Sequence, residues 1–369
     1  MSSFSRRSNA SSLLPSSKRS KEPMAQDKMN RIRGAFFGQL IGDSFGSRYE
    51  FKARDVVRSM LKNDTIDGHV PLLGGGPFNR CKGQLTDDSE MALSLATSLI
   101  RCRGFDRADV ACSYAFWLQT NPPDAGIATK SALTIKTKLN TNWSTELTGD
   151  EKSEILKEIT ENVTKHNANS LSNGMLMRIT PLAIALHKSN PKDVFNTVAQ
   201  ECTLTHGNPI AIEASQFFVF VLIKLINGVK PEMAINEAYE QLKSPILRQI
   251  VETSQHTATP IRLPDGTLID GDTKHQGFLG VALQIALHEL RNSNSFSEGF
   301  VRIVGFGGDT DTNGCIGAAL LGARFGEKEI PTDWKEVVIN ANIDRNFDFM
   351  SPLKSHSLDQ FISQLASSV

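Results

Sequence analysis

Cysteine is sparse in this 369-residue chain and forms no pattern. The five thiols (Cys81, Cys102, Cys112, Cys202, Cys315) contain no C-x-x-C pair, so a zinc site of the usual spacing is excluded. An odd, scattered set also argues against a disulfide framework and fits reduced thiols inside a cell. Charge of one sign is not in excess either. Forty basic and forty acidic residues give zero formal net charge, which removes the usual footprint of a nucleic-acid binder. Aromatics make up only 7% and alternating β patterns are scarce, which speaks against a sheet-based fold. No membrane-spanning run is evident. The most apolar stretch, 209–227, carries Glu213, Gln216 and Lys224 and reads as a buried helix.

Residues 1–27 differ from the rest. They are rich in serine, poor in large apolar side chains, and lack the apolar run of a secretory signal. The composition predicts a disordered basic tail. Its clusters Arg6-Arg7 and Lys18-Arg19-Ser20-Lys21 leave a nuclear signal open. The absence of acid before Glu22 leaves a mitochondrial presequence open. Intracellular, cytoplasmic or nuclear, is the expected location.

Residues 28–369 are expected to form one all-α domain. Apolar periodicity and start signals predict helices over 29–46, 88–103, 106–119, 150–165, 191–203, 209–227, 231–242, 245–255, 277–291, 296–303 and 312–325. Asp88 or Ser89 and Thr312 are expected as N-caps, and Pro191 and Pro231 suit first-turn positions. The only strand-like pieces flank the Pro264-Asp265-Gly266 turn.

Two helices carry a stripe of small residues. Gly34, Gly38, Gly42 and Gly46 recur every fourth position, as do Gly314, Ala318 and Gly322. Residues four apart share one helix face. A glycine costs a helix about 1 kcal/mol against alanine, so close backbone approach is the expected compensation. The two stripes should pack on each other and bring the chain ends together.

Two acidic clusters carry the chemistry: Thr86-Asp87-Asp88-Ser89 and Gly307-Gly308-Asp309-Thr310-Asp311-Thr312. Carboxylate and hydroxyl oxygens are hard ligands that suit Mg²⁺, Mn²⁺ or Ca²⁺. Asp309 to Gly314 begins like a calcium loop, but its twelfth position is Leu320 where a bidentate Glu is needed, so that reading fails. Each cluster alone could be a pair of helix caps. Together they could hold one or two divalent ions.

With these clusters, two further segments occur in order: Gly34-Ala35-Phe36-Phe37-Gly38-Gln39-Leu40-Ile41-Gly42-Asp43-Ser44-Phe45-Gly46 and Ser172-Asn173-Gly174-Met175-Leu176-Met177-Arg178. The set resembles the ADP-ribosylglycohydrolase family over roughly residues 30–326. The resemblance implies an orthogonal multi-helix fold with a two-metal centre of Mg²⁺ or Mn²⁺. It implies Thr86, Asp87, Asp88, Asp309, Asp311 and Thr312 as ligands, with Ser89 replacing a more usual threonine at a position that does not ligate. Arg48-Tyr49-Glu50 matches a segment with a metal-gating glutamate in the serine-specific branch. Asn121-Pro122-Pro123-Asp124-Ala125-Gly126 matches one with a candidate catalytic Asp in the arginine-specific bacterial branch. Thr205-His206-Gly207 matches a segment with a His near the distal part of the ligand.

The implied activity is hydrolysis of the bond between ribose C1″ and a modified side chain, arginine favoured. Asp124, Asp309 or Glu50 would be catalytic. Ser172, Asn173, Gly174, Met177, His206 and Gly126 would bind substrate. Serine-linked ADP-ribose, O-acetyl-ADP-ribose, or a relative that binds without catalysis are the alternatives, and a di-metal phosphoesterase is a more distant one. Glu50 could also be a solvated charge at a helix end, Asp124 a turn-stabilising residue, and His206 a core histidine. The expected partner is an ADP-ribosylated protein or a small ADP-ribose derivative. No nucleic acid or membrane is expected, and the chain should be a monomer.

Overall fold

The computed structural model describes residues 21–341, 345, 347–354 and 357–369. Most of the tail readings fall on residues 1–20, outside the described residues. The chain is 62% helical. Its first half holds α1 (Lys21–Gly46), α2 (Arg54–Asp64), α3 (Asp87–Cys102), α4 (Arg107–Gln119), α5 (Ile127–Leu133), α6 (Trp143–Glu146), α7 (Gly149–His166) and α8 (Thr180–Ala185). Next come α9 (Pro191–Cys202), α10 (Pro209–Ile226), α11 (Pro231–Tyr239), α12 (Pro245–Thr253), and a small hairpin of β1 (Ile261–Arg262) and β2 (Leu268–Ile269). The chain closes with α13 (Leu279–Asn292), α14 (Phe296–Val304), α15 (Thr310–Phe325), α16 (Thr332–Ile339), α17 (Ser351–Lys354) and α18 (Leu358–Leu365).

All eleven expected helices are present. Apart from α1, which begins at Lys21 inside the segment assigned to the tail, their ends move by at most three residues. Prolines sit at the first turn of α9, α10, α11 and α12, where a missing N–H costs nothing. The expected strand pieces pair antiparallel, Ile261 with Ile269 and Arg262 with Leu268.

Two cap assignments are corrected, and the correction matters for the site. Thr86, not Asp88 or Ser89, caps α3, accepting a bond from Asp88 N. The last acidic helix starts at Thr310 rather than after Thr312, and the Asp309 side chain makes no cap bond. The physical reason lies in the preceding turn. Gly307 and Gly308 both have positive φ (73° and 77°) and swing the chain into helix two residues early. The carboxylates of both clusters are thereby released from capping.

The glycine stripes meet as expected. A Cβ on Gly34, Gly38, Gly42 or Gly46 would lie 2.1, 2.1, 2.3 and 2.3 Å from the carbonyl oxygens of Gly322, Ala318, Gly314 and Thr310. The helices therefore run antiparallel, backbone against backbone, with the C-terminal end of α1 beside the N-terminal end of α15. The Thr310 hydroxyl closes that end by donating to Gly46 O at 2.7 Å. Behind it Phe45, Phe300 and Trp334 pack edge to face, with centroids 4.9–5.5 Å apart. Each such pair is worth roughly 0.5–1.5 kcal/mol beyond its burial, and the trio fixes the end of α1 against α14 and α16.

Helix α10 is long and apolar enough to cross a membrane by composition alone, but 67% of it is buried within the protein. It packs on α8, α9, α11 and α15 as a core helix. This matches the reading of 209–227.

Candidate active site

The antiparallel pairing of α1 and α15 decides where the acids go. The chain leaves α1 through a turn at 47–51. Arg48 is held by Asp64 through two bonds (2.8 and 2.9 Å), and Tyr49 donates to the same carboxylate at 2.8 Å. Arg48 and Tyr49 are thus tied to the end of α2, and Glu50 turns into the interior, where it is buried. Phe51 N then donates to Gly308 O (2.7 Å) and Gly308 N to Lys52 O (2.9 Å). This bridge clips the Glu50 turn to the Asp309 turn. Only glycine fits at 308, since a Cβ there would lie 2.1 Å from Gly271 O.

Glu50, Asp309 and Asp311 consequently converge, each offering an oxygen within 4.8 Å of the other two. The reading of Glu50 as a solvated end-of-helix charge is excluded, because it is only 3% exposed. Asp87 and Asp88 face the same cavity from the start of α3. A residue not assigned from sequence puts them there. Asp43 on α1 is fully buried and accepts bonds from Thr86 N (3.1 Å) and Ser89 N (3.1 Å). It pins the first turn of α3 to α1. Its signal was in plain view within the first glycine helix, where a lone carboxylate interrupts a buried face.

Crowding and burial push these acids toward their neutral forms. Burial, then Asp309, Asp124 and Asp87, raises Glu50 to about 9. Burial, then Asp124 and Asp43, raises Asp87 to about 7. Asp88 and Asp311 are also held well above the usual carboxylate range, burial being the main cause. Arg80, a buried arginine not singled out from sequence, opposes the shift at Glu50 and Asp87.

The acids floor a cavity of about 680 Å³. Asp124, Gly126, Ser172, Asn173, Gly174, Met177 and Thr312 line it too. Asp124 is half-buried, with one oxygen accepting from Ala125 N at 2.8 Å. Asn173 Nδ2 donates to Asp309 Oδ2 at 2.7 Å, and Asn173 N donates to Gly277 O. Met177 O accepts from Gln39 Nε2 and from the Cys315 thiol, which is therefore a packing element. Two expected site residues do not reach the cavity wall. Thr86 lies behind it as the cap of α3. His206 is fully buried behind Ser172, with Nε2 2.7 Å from Ser172 Oγ. Phe51 and Ile127 stand exposed at the rim.

The family model described as ADP-ribosylglycohydrolase matches residues 24–360. The chain belongs to the ADP-ribosylglycohydrolase family. Membership makes it a hydrolase of glycosidic bonds. This glycohydrolase is 29% identical to a protein of Acanthamoeba polyphaga mimivirus bearing the ADP-ribosyl glycohydrolase name, covering 86% of this chain and 93% of that one. It is 26% identical to the ADP-ribosylarginine hydrolase Tri1 of Pseudomonas putida, covering 85% and 75%. A solved structure titled ADP-ribosylglycohydrolase-related protein complex shares the fold, with a TM-score of 0.65 and 24% identity over 93% of this chain and 98% of that one.

The glycohydrolase's acids fit a divalent cation. Glu50 Oε2 and Asp88 Oδ2 are buried and find no hydrogen-bond partner among the described residues, a costly state for isolated carboxylates. The donors are all oxygen, which favours a hard ion over zinc.

Proposed function

We propose that the protein is a metal-dependent hydrolase that releases ADP-ribose from modified arginine side chains. The observation that carries this reading is the convergence of Glu50, Asp309 and Asp311 on the floor of a cavity also lined by Asp87, Asp88 and Asp124. Two Mg²⁺ or Mn²⁺ ions are the expected cofactors, held by Asp87, Asp88, Asp309, Asp311 and Thr312, with Glu50 joining the set. When bound, they supply positive charge that orients the ribose hydroxyls and lowers the pKa of water.

The chain's own groups do the rest. Asn173 fixes the Asp309 rotamer through its 2.7 Å bond. Asp124, held by Ala125 N, takes a proton from the attacking water. The water oxygen bonds to C1″, the bond from C1″ to the guanidino nitrogen breaks, and the proton returns to the leaving guanidine. Asp124 also offers the negative charge that a guanidinium needs, which favours arginine, as does the name of the Pseudomonas relative.

The test is release of free ADP-ribose from arginine-modified protein, with Mg²⁺ and with EDTA, beside a serine-linked substrate. Mg²⁺-dependent release from the arginine substrate is expected. Release from the serine-linked substrate alone would transfer the reading to that branch. Binding of ADP-ribose with no release from either would make the protein a non-catalytic relative.

A further inference from the structure

The hydrogen bonds behind Ser172 have a direction. Arg178 is fully buried, and its guanidinium is fixed on three sides: Nε to Glu201 Oε1 (2.7 Å), Nη1 to Gly174 O (3.4 Å) and Nη2 to Thr205 Oγ1 (2.8 Å). Tyr114 donates to the same Glu201 oxygen at 2.8 Å, and the guanidinium lies 4.6 Å from the Tyr114 ring centroid. A guanidinium can only donate. Thr205 Oγ1 therefore accepts from Arg178, and its own proton needs a partner because Thr205 is fully buried. The remaining contact is His206 Nδ1 at 2.8 Å. Nδ1 then accepts.

Burial, and secondarily Arg178, pushes His206 down to about 3, so the ring is neutral and carries one proton. With Nδ1 accepting, that proton sits on Nε2 and is donated to Ser172 Oγ at 2.7 Å. Ser172 Oγ has thus accepted one bond and keeps its own proton to give. Among the described residues its one other side-chain hydrogen-bond contact is a long one, Ser170 Oγ at 3.3 Å, and both serines line the cavity.

We propose that Arg178, Thr205 and His206 form a positioning chain that presents the Ser172 hydroxyl as a hydrogen-bond donor to an anionic oxygen of the bound ligand, the diphosphate of ADP-ribose. The ligand identity rests on the function proposed above; the direction of the chain does not. The buried Arg178–Glu201 pair has a role in this scheme beyond packing. It supplies the fixed positive end from which the donor–acceptor order runs. A buried ion pair is weak evidence for stability, whereas a unique hydrogen-bond polarity is what such a pair can impose.

The test has two arms. In the first, long-range ¹⁵N–¹H spectra of the wild-type protein, with His206 assigned by loss of its signals in His206→Gln, read the tautomer directly. The proton on Nε2 and a bare Nδ1 are expected; the reverse tautomer overturns the proposal, and no binding variant is needed to see it. In the second, calorimetry measures ADP-ribose binding to wild type, Thr205→Val and Thr205→Ser. Thr205→Val keeps the shape and removes the hydroxyl. It should weaken ADP-ribose about tenfold and raise KM by the same factor while leaving kcat near wild type. Thr205→Ser should restore wild-type affinity. Unchanged affinity in Thr205→Val overturns the chain. If wild type itself fails to bind ADP-ribose, the proposed function fails, while the tautomer still reports on the chain.

Discussion

Individual carboxylates in this site have separable duties. Asp309 and Asp87 face the cavity, and neither is consumed by a helix cap. Asp309→Asn or Asp87→Asn should therefore lower turnover by at least about a hundredfold and leave the circular dichroism spectrum close to wild type. Full activity with unchanged metal dependence in either variant would remove the two-metal reading. Asp43 is different, because its oxygens are spent on Thr86 N and Ser89 N and it faces no substrate. Asp43→Asn replaces one charged acceptor by an amide that must turn a donor toward those N–H groups. Divalent-ion affinity is expected to fall roughly 10- to 100-fold, as for other groups that orient ligands, and extra Mg²⁺ should recover activity. That recovery separates Asp43 from the ligands themselves, whose loss no Mg²⁺ concentration repairs.

Among the helices, the pair α1 and α15 is the element on which the site depends. Their stripes let carbonyls on one backbone sit where side chains would normally stand. Gly38→Leu cannot be accommodated by a rotamer change, because its first carbon already meets Ala318 O at 2.1 Å. Overpacking typically costs 1–3 kcal/mol, and a collision with backbone should cost about 3 kcal/mol or more, read by urea unfolding. If the variant still folds, the Glu50 and Asp309 turns separate, so metal affinity should fall with stability rather than independently of it.

This element was legible in the sequence. A period of four in small residues is a physical signal, and it predicted the contact between the two helices. The caps were not legible. Thr86 and Asp88 are both good cap residues, and the choice between them was made by Asp43 across the fold. The start of α15 was moved by two glycines whose φ no composition reveals. Seven helices among the described residues were missed: α5, α6, α8 and α17 have seven residues or fewer and show no period, and α2, α16 and α18, of 11, 8 and 8 residues, were passed over as well. Helix α8 is also buried all round, so it has no polar face to mark it. His206 could be placed near the ligand by resemblance, but its seat behind Ser172 depends on Thr205 and Arg178, which only the packed core brings together.

The molecule as a whole has been folded around a concentration of negative charge, and its stability should respond to whatever neutralises that charge. In the metal-free protein Glu50 is raised to about 9 and Asp87 to about 7, against values near 4 in an unfolded chain. The sign follows from linkage. Below about pH 4 both states hold these protons and the stability is fully present. As pH rises, the unfolded chain releases them first, so stability is lost progressively until the folded groups ionise near 7 and 9. Asp43, Asp88, Glu90 and Asp311 are raised as well, mainly by burial, and add to the same loss, while the remaining shifted groups leave the window from pH 5.5 to 8 largely clear. Asp64, Asp109 and Glu327 are lowered by their basic partners and titrate beneath it. Burial raises Cys112 and Cys202 to about 12, which acts mainly above it. His187 and His206 are lowered by burial, and their effect, a loss as pH falls, is confined below about 6.5. Melting curves in EDTA should therefore shift to lower temperature between pH 6.5 and 8, and the shift should shrink in Glu50→Gln, which carries no titrating proton. Saturating Mg²⁺ or Mn²⁺ places positive charge where the protons were, so it should raise the melting temperature most at the alkaline end. A metal-free melting temperature that climbs from pH 6.5 to 8, with no response to either ion, would mean that these carboxylates are ionised and compensated by the protein alone, and the site would then have no electrostatic need of a metal.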